Sequence, residues 1–189
     1  QEIFARCRET FGAFIHDFDT RSVFDVSDEE RETIFETLWS EPGFGFWLGN
    51  FFDIMTDEKA NEKIAEFVRR KIRERVTDPV VAERLTPRNH CFGTKRVPLE
   101  SGYYEAYNRE NVELVDLHAT PIERISLNGI ITTAQTYQLD IIIYATGFDA
   151  VTGALTRIDI LGEGGTSLKD KWRDGPRTYL GLQIAGFPN

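Results

Sequence analysis

The sequence predicts an α+β fold in which a helical half precedes a small β-rich half. Apolar residues recur at spacings of three and four through residues 1–90, the spacing of one helix face. Beyond residue 110 the apolar residues instead form short runs typical of strands. Asn128-Gly129 separates two of these runs, and this dipeptide is a strong signal for a two-residue β-hairpin.

The first predicted helix has a single apolar stripe. Its members follow one another at steps of one, three or four positions, as one face of a helix requires. They are Ile3, Phe4, Cys7, Phe11, Phe14, Ile15 and Phe18. The pattern predicts an amphipathic helix over this segment.

Capping signals mark the starts of the later helices. Ser27-Asp-Glu-Glu30 has the form of a capping box, in which two side chains satisfy backbone amides that the helix leaves open. Thr56 or Asp57 can cap a long helix, and Asp78-Pro79 combines a cap with proline at the first helical position. The last of these helices is predicted to end near Leu85.

Two stretches of the helical half are unusual in composition. Residues 44–52 are rich in aromatic side chains and are predicted to pack inside the helical region, with the wall of a substrate channel as the alternative. Residues 69–75 are rich in arginine at the C-terminal end of the long helix, where cations suit the helix dipole. We interpret them as a solvated helix end.

The second half is predicted to begin with a loop over residues 88–100 and a short helix, 102–108, that presents three tyrosines. Another short helix is predicted near 168–172, and residues 162–165 form a glycine-rich turn. The predicted strands are Val112–Asp116, Ile122–Leu127, Ile130–Thr133, Asp140–Tyr144 and Tyr179–Ala185.

The segment Asp140-Ile-Ile-Ile-Tyr-Ala-Thr-Gly-Phe-Asp149 is the most informative of these runs. Its apolar residues are continuous, as in a buried strand, and small residues and Gly147 stop the run. A glycine there predicts a tight turn whose bare backbone another group can approach. The combination is typical of nucleotide-binding folds.

The chain has 189 residues and a net charge of −9, so broad binding to nucleic acid or to an anionic membrane is not expected. No apolar run approaches the ~18 residues of a membrane span. Cys7 and Cys91 are far apart, which favours reduced thiols and a cytoplasmic protein. His16, His90 and His118 are dispersed and predict no metal site.

Phe92-Gly-Thr-Lys-Arg96 is the second informative segment. Gly93 and Thr94 leave the backbone accessible, and two cations follow in the same loop. A guanidinium stays protonated at any working pH and can stabilise an anion, whereas a lysine can act as a point charge for phosphate. By composition alone the signal is weak, because basic pairs in loops are usually solvated.

The two informative segments and their surroundings resemble the Baeyer–Villiger monooxygenases, most closely the cyclohexanone and phenylacetone monooxygenase branch. The resemblance covers nearly the whole chain and is carried by residues 92–116, 145–155, 171–182 and 185–189. It implies FAD and NADPH as cofactors, with a ketone and O2 as substrates. In that family an anionic C4a-peroxyflavin attacks the ketone and inserts one oxygen beside the carbonyl, which gives an ester or lactone.

The resemblance also implies roles for individual residues. Arg96 matches the catalytic arginine that stabilises the anionic species, and Lys95 matches the residue that helps to bind the NADPH 2′-phosphate. Ala145, Thr146 and Gly147 would be cofactor-binding residues that lie along the cofactor cleft.

The implied parent is an α/β flavoprotein with two dinucleotide-binding domains, and this chain would be an internal α+β fragment of it. Residues 1–90 would be the helical insertion of the NADP domain. Residues 91–149 would be the linker and the end of the NADP-binding domain, and residues 150–189 the start of the C-terminal FAD-domain segment. The sequence contains no GxGxxG turn, so the chain alone is expected to be inactive and to need the remainder of its parent. Without that remainder, the strand at 140–144 could lack pairing partners.

Two alternatives remain open. A related flavin monooxygenase could oxidise nitrogen or sulfur instead of a ketone. The chain could also be a non-catalytic helical binding module, which predicts a partner that binds the aromatic stretch at residues 44–52.

Overall fold

The computed structural model describes residues 2–10 and 13–188. The chain divides into two compact units, the first reaching Pro121 and the second starting at Ile122. The first unit is helical, and the second contains a three-stranded antiparallel sheet. The predicted α+β order is therefore confirmed.

The first unit consists of helices of very different lengths. In chain order they are α1 (Glu2–Cys7), α2 (Asp28–Ser40), α3 (Gly45–Leu48), the 3-10 helix Phe52–Met55, α4 (Glu58–Arg75), α5 (Pro79–Leu85) and α6 (Tyr103–Ala106). Within residues 2–10 and 13–188, none of the helices is both long enough and apolar enough to cross a membrane.

The predicted caps are present at the starts of α2, α4 and α5. Ser27 Oγ accepts a hydrogen bond of 3.1 Å from an amide in the first turn of α2, and Asp57 Oδ1 accepts one of 2.9 Å in α4. Asp78 caps α5, whose first residue is Pro79. Each side chain satisfies an amide that has no partner inside its helix.

The predicted helix over the N-terminal apolar stripe is largely wrong. Helix α1 ends at Cys7, and the Thr10 hydroxyl donates to the Phe14 carbonyl at 2.6 Å where the helix was expected to continue. Phe4 is 75% exposed and Ile15 is also exposed, so the stripe does not gain the burial that stabilises an amphipathic helix in a protein. Phe11, another member of the stripe, lies outside the described residues.

A cluster of aromatic rings forms the core of the first unit. The Phe35 ring of α2 meets the rings of Phe46, Phe51 and Phe67 edge-on, at centroid distances of 6.2, 6.0 and 5.3 Å. Edge-to-face geometry of this kind is favourable beyond the area that it buries. Phe46 and Phe51 belong to the aromatic stretch at residues 44–52, so these rings pack inside the helical region as predicted.

The sheet of the second unit consists of β1 (Ile122–Ser126), β2 (Gly129–Thr132) and β3 (Thr136–Gln138), in that order. The predicted hairpin is confirmed, although its loop residues are Leu127 and Asn128 while Gly129 starts β2. Gly129 has a φ of +146°, and a Cβ at this position would lie 1.9 Å from the Tyr137 carbonyl oxygen. Glycine is therefore required here because the backbone of the paired strand β3 lies too close for a side chain.

Three of the predicted strands are absent from the described structure. Val112–Asp116 and Asp140–Tyr144 form no ladder, and Tyr179–Ala185 contains only isolated bridges and turns. Ile141 and Ile143 are 78% and 85% exposed, which contradicts the prediction of a buried strand. The physical reason is that a strand needs a hydrogen-bonded neighbour, which the described ladders do not provide for this run.

The rest of the second unit contains short helical turns: α7 (Gly153–Thr156), the 3-10 helix Glu163–Gly165 and α8 (Leu168–Lys171). Helix α8 and the glycine-rich turn confirm two of the sequence predictions. Leu168 and Trp172 are the buried apolar side chains of this region.

Candidate functional site

The predicted basic pair lies in an ordered loop of the first unit. This basic loop (residues 91–99) connects the segment after α5 to the segment before α6, within the loop predicted at residues 88–100. It starts with a turn in which the Thr94 hydroxyl donates to the Cys91 carbonyl at 2.7 Å, and Gly93 has a φ of +79°. Lys95 and Arg96 follow this turn, and both side chains are exposed.

Arg96 borders a cleft of about 940 Å³ within the first unit. One wall comes from the aromatic side chains of α2, α3 and the segment between them, and another comes from one face of α4. The lining includes Trp39, Phe44, Phe46, Trp47, Ala65, Val68, Ile72, Phe92, Gly93 and Arg96. A cleft with an apolar lining and a few charged groups is the usual form of a small-molecule site. The alternative of a channel wall for residues 44–52 thus gains support from Phe44, Phe46 and Trp47.

Asn61 of α4 holds the start of the basic loop. Its side-chain amide donates to the Phe92 carbonyl at 2.8 Å and accepts from the Phe92 N–H at 2.9 Å. The same amide group donates to the Ile54 carbonyl at 2.7 Å, so both of its N–H bonds and its oxygen are used. Asn61 is 6% exposed, and hydrogen bonds in such a place are costly to lose.

Gly93 allows the loop to approach the helical core closely. A Cβ at this position would lie 2.8 Å from the Met55 side chain and 3.0 Å from Trp47 Nε1. The Phe92 ring packs edge-on against Phe46 at 5.7 Å. The backbone just before Lys95 is therefore fixed by packing as well as by hydrogen bonds.

Arg75, at the end of α4, holds the far side of the basic loop. Its Nη2 donates to Glu100 at 3.2 Å and to Glu105 at 2.7 Å, and its guanidinium lies 5.1 Å from the centroid of the Tyr104 ring. These bonds lower the pKa of both glutamates and raise the pKa of the arginine. Glu100 also accepts from the Tyr103 N–H at 2.9 Å, which links the ion pairs to the start of α6.

Arg69 is a third contact between α4 and this region. Its side chain is buried, donates to the Pro87 carbonyl at 3.0 Å and pairs with Glu62 at 2.6 Å. The hydrogen bond with Glu62 raises the pKa of Arg69. The interpretation of residues 69–75 as a solvated helix end is therefore wrong, because Arg69 and Arg75 both hold loop segments onto the helix.

The basic pair has charges that the first unit does not neutralise. Among the described residues of this unit, neither Lys95 nor Arg96 forms an ion pair or a side-chain hydrogen bond, although many other arginines of the unit do. Arg96 therefore presents an uncompensated guanidinium at the edge of the cleft. Such a group is available to an anion or to negative charge that develops in a reaction.

The second unit contains the other predicted site residues, Ala145, Thr146 and Gly147. They are exposed and belong to no helix or strand, and Gly147 has a φ of +83° with no atom within 4 Å of where a Cβ would be. Their backbone is accessible, as the sequence predicted. In the same unit, Asp149 forms an ion pair with Arg157.

Histidines and cysteines do not build a further site in the part of the chain that the structure describes. No group of three or more His, Cys, Asp or Glu side chains there is arranged to hold a metal ion, and Cys7 and Cys91 are free. Tyr103 packs against Tyr104 and Tyr107, with a hydrogen bond of 3.0 Å from the Tyr107 hydroxyl to that of Tyr103.

The sequence interpretation missed Asn61, Arg69 and Arg75 as the residues that shape the site. A signal for them was present, because Asn61, Ala65, Arg69, Ile72 and Arg75 follow one another at steps of three or four residues. They lie on one face of α4, and polar groups at the edges of an otherwise apolar face indicate specific partners.

Comparisons with known proteins found relatives that match most of this chain. No protein-family model matches the chain. The 2-oxo-Δ3-4,5,5-trimethylcyclopentenylacetyl-CoA monooxygenase of Pseudomonas putida is 53% identical over 96% of this chain and 33% of its own length. A Baeyer–Villiger monooxygenase of Pseudooceanicola batsensis is 45% identical over 87% of this chain and 30% of its own length. A phenazine N-monooxygenase of Lysobacter antibioticus is 42% identical over 89% of this chain and 31% of its own length.

The fold of the chain also matches part of a solved structure. The crystal structure of OTEMO in complex with FAD and NADP matches with a TM-score of 0.94 and 52% identity, over 100% of this chain and 35% of that protein. The chain thus spans about a third of the length of the relatives that it matches. By sequence and by fold, the chain matches about one third of the length of Baeyer–Villiger monooxygenases.

Proposed function

We propose that the chain forms part of an FAD- and NADPH-dependent monooxygenase that inserts one oxygen atom of O2 beside a ketone carbonyl, giving an ester or lactone. The observation that carries the proposal is the Arg96 guanidinium, which is held on an ordered loop at the edge of a cleft and has no carboxylate partner among the described residues of its unit. The relatives' names supply the reaction class.

The residues present fit one part of a cofactor site. Lys95 and Arg96 lie on a fixed loop without an ion-pair partner among the described residues of their unit, and such cations suit a phosphate and a developing oxyanion. The open backbone at Gly147 suits a closely approaching ligand. A bound flavin, reduced by NADPH, would supply the electrons that activate O2. No GxGxxG turn is present in the sequence, so both cofactors would need residues beyond this chain.

We assign roles by chemistry. Arg96 would hold a fixed positive charge near the negative charge that develops on the oxygen of the ketone during attack, and so lower the barrier. Lys95 would bind the NADPH 2′-phosphate as a point charge. Ala145, Thr146 and Gly147 would line the cofactor cleft through their exposed backbone.

We also propose the domain assignment that the resemblance implies. Residues 1–90 would be the helical insertion of the NADP domain, residues 91–149 the linker and the end of that domain, and residues 150–189 the start of the FAD-domain segment. The remainder of the parent enzyme, an α/β flavoprotein with two dinucleotide-binding domains, would complete the site.

Substitution of Arg96 by Ala in the complete monooxygenase tests the proposal. We expect ketone oxygenation to fall by about a hundredfold to a thousandfold, the usual cost of one oxyanion-stabilising group, while the flavin spectrum is retained. Arg88→Ala is the matched control, because Arg88 is an exposed arginine that pairs with Glu83 at 2.6 Å and does not line the cleft. Undiminished lactone or ester formation by Arg96→Ala would remove Arg96 from the mechanism.

The chain by itself provides a second test. We expect no flavin spectrum and no ketone-dependent oxidation of NADPH when FAD and NADPH are added to it. Turnover by the chain alone would contradict the proposal that the remainder of the enzyme is needed.

Oxidation of nitrogen is the second candidate function, because one relative is a phenazine N-monooxygenase. Product analysis of the complete enzyme with a cyclic ketone and with an aromatic N-heterocycle such as phenazine separates the two reactions. The binding-module alternative has less support, because Phe46 and Phe51 of the aromatic stretch pack in the core of the first unit.

A further inference from the structure

Asn61 is the one buried polar side chain of α4 that bonds directly to the basic loop among the described residues. Its carboxamide bonds to both backbone groups of Phe92, at 2.8 and 2.9 Å, four residues before Arg96. Arg69 bonds before the loop at Pro87, and Arg75 bonds beyond it at Glu100. The two arginines therefore bind the segments on either side of the basic loop, whereas Asn61 binds the loop itself.

We propose that Asn61 is a positioning residue for the oxygenation reaction: it fixes the backbone of Phe92 and thereby the place of the Arg96 guanidinium at the cleft. This inference rests on the proposed function of Arg96. Asn61 itself touches no reacting atom in this scheme and acts through the loop.

The chain between Phe92 and Arg96 is short and tightly packed, so fixing the Phe92 backbone also restricts the position of Arg96. The turn from Cys91 to Thr94 is closed by two hydrogen bonds to the Cys91 carbonyl, at 2.7 and 3.3 Å. Gly93 sits against Met55 and Trp47, where not even a Cβ would fit without displacement. A shift of Phe92 therefore moves the whole turn, and Arg96 moves with it.

The side chain of asparagine suits this position chemically. It supplies two donors and one acceptor in one plane, and all are matched, by the carbonyls of Ile54 and Phe92 and by the Phe92 N–H. Removal of this side chain would leave the part-buried N–H and carbonyl of Phe92 and the buried carbonyl of Ile54 without this partner, which favours local opening of the loop.

The first experiment measures the loop in the chain itself, by limited digestion with trypsin. The peptide bonds after Lys95 and Arg96 are trypsin sites, and their cleavage reports how often the loop opens. We expect Asn61→Ala to raise the cleavage rate at these two sites about tenfold, the effect of losing about one net hydrogen bond.

Asn50→Ala is the matched control for the loss of a buried asparagine. Asn50 is fully buried, and its amide donates to the Phe46 carbonyl at 3.1 Å and accepts from the Phe51 N–H at 2.9 Å. Both partners lie outside the basic loop. We expect cleavage of the Asn50→Ala variant after Lys95 and Arg96 to stay within about twofold of the rate in the unsubstituted chain. Equal increases in both variants would overturn the proposal.

The second experiment measures kinetics in the complete monooxygenase. We expect Asn61→Ala to lower kcat for ketone oxygenation about tenfold or more with little change in KM, and Asn50→Ala to leave kcat unchanged. If Asn61→Ala does not fold, Asn61→Leu removes the same bonds while filling the space. A folded Asn61 variant with the original kcat would refute the positioning role.

The two experiments separate this inference from the proposed function. If Arg96→Ala retains oxygenation, the proposed function of Arg96 fails, regardless of the trypsin cleavage rates at the loop. If Arg96→Ala loses oxygenation while the Asn61 variants keep both a closed loop and full kcat, only the inference about Asn61 fails.

Discussion

The two units of the chain differ in how much of their apolar sequence they bury. The first unit gathers Phe35, Phe46, Phe51 and Phe67 into one core between its helices. The second unit leaves a large set of apolar side chains exposed, including Ile141, Ile143, Tyr144, Phe148, Val151, Leu180 and Leu182. A helix satisfies its own backbone and needs only an apolar contact, whereas a strand also needs hydrogen bonds from a neighbour.

The same contrast separates the two groups of proposed site residues. Lys95 and Arg96 lie on a loop that α4 holds through Asn61 and Arg75. Ala145–Gly147 follow a run that has no ladder partner in the described structure and are exposed. A site segment that is bonded to a packed helix has its conformation fixed within its own unit. A segment that follows an unpaired apolar run depends on what pairs with that run.

The largest expected effect is in the core of the first unit. We predict that Phe35→Ala lowers the free energy of unfolding by about 3–5 kcal/mol, because it removes a ring that meets three others. The comparison is Ile143→Ala in the second unit, where the side chain is 85% exposed and the expected change is within about 0.5 kcal/mol. Urea unfolding followed by circular dichroism measures both, and similar losses would break the contrast between the units.

The next effect concerns a closely packed glycine in the sheet of the second unit. Gly129→Ala places a Cβ against the Tyr137 carbonyl at a φ of +146°, so we predict a loss of about 2 kcal/mol or more and separation of β2 from β3. Gly175→Ala is the control, because its φ is +114° but no atom lies within 4 Å of the Cβ position. Hydrogen exchange of the β3 amides distinguishes them, and equal exchange in the two variants would show that the close approach is unimportant.

A smaller effect depends on pH in the first unit. Hydrogen bonds from Arg75 lower the pKa of Glu100 below its ordinary 4.5, so this stabilisation is present above pH 4.5 and is lost as the pH falls through the lowered value. We predict that Arg75→Met lowers the free energy of unfolding at pH 7 by about 1 kcal/mol and has less effect at pH 3. Arg173→Met, which breaks an exposed pair with Asp170 in the second unit, serves as the control with little effect at either pH.

The smallest effect is a tyrosine titration near α6. The hydrogen bond to Tyr103, together with burial, raises the pKa of Tyr107 from 10.0 to about 12. The neutral phenol is the form that the fold favours, so this contribution is complete below pH 10 and disappears as the pH rises to 12. We predict that Tyr103→Phe moves the titration of Tyr107 back toward 10, measured by the ultraviolet absorbance of the phenolate. An unchanged titration would exclude the hydrogen bond as its cause.

The sequence by itself determined the features whose causes lie within a few residues. Caps at Ser27, Asp57 and Asp78 depend on bonds that span two or three positions, and the hairpin beside Asn128 closes over three, so both could be predicted from local composition. The same reasoning located Lys95 and Arg96 in a loop and Gly147 at a bare backbone.

Only the tertiary structure decided which side chains hold the site and which apolar runs are buried. Asn61 meets Phe92 across 31 residues, and Arg75 meets Glu105 across 30, distances over which sequence spacing predicts no contact. The apolar runs at Ile3 and at Ile141 looked like buried elements, yet both are exposed. Burial is decided by the surfaces that a fold brings together, so a periodic pattern shows which face can be covered but not whether anything covers it.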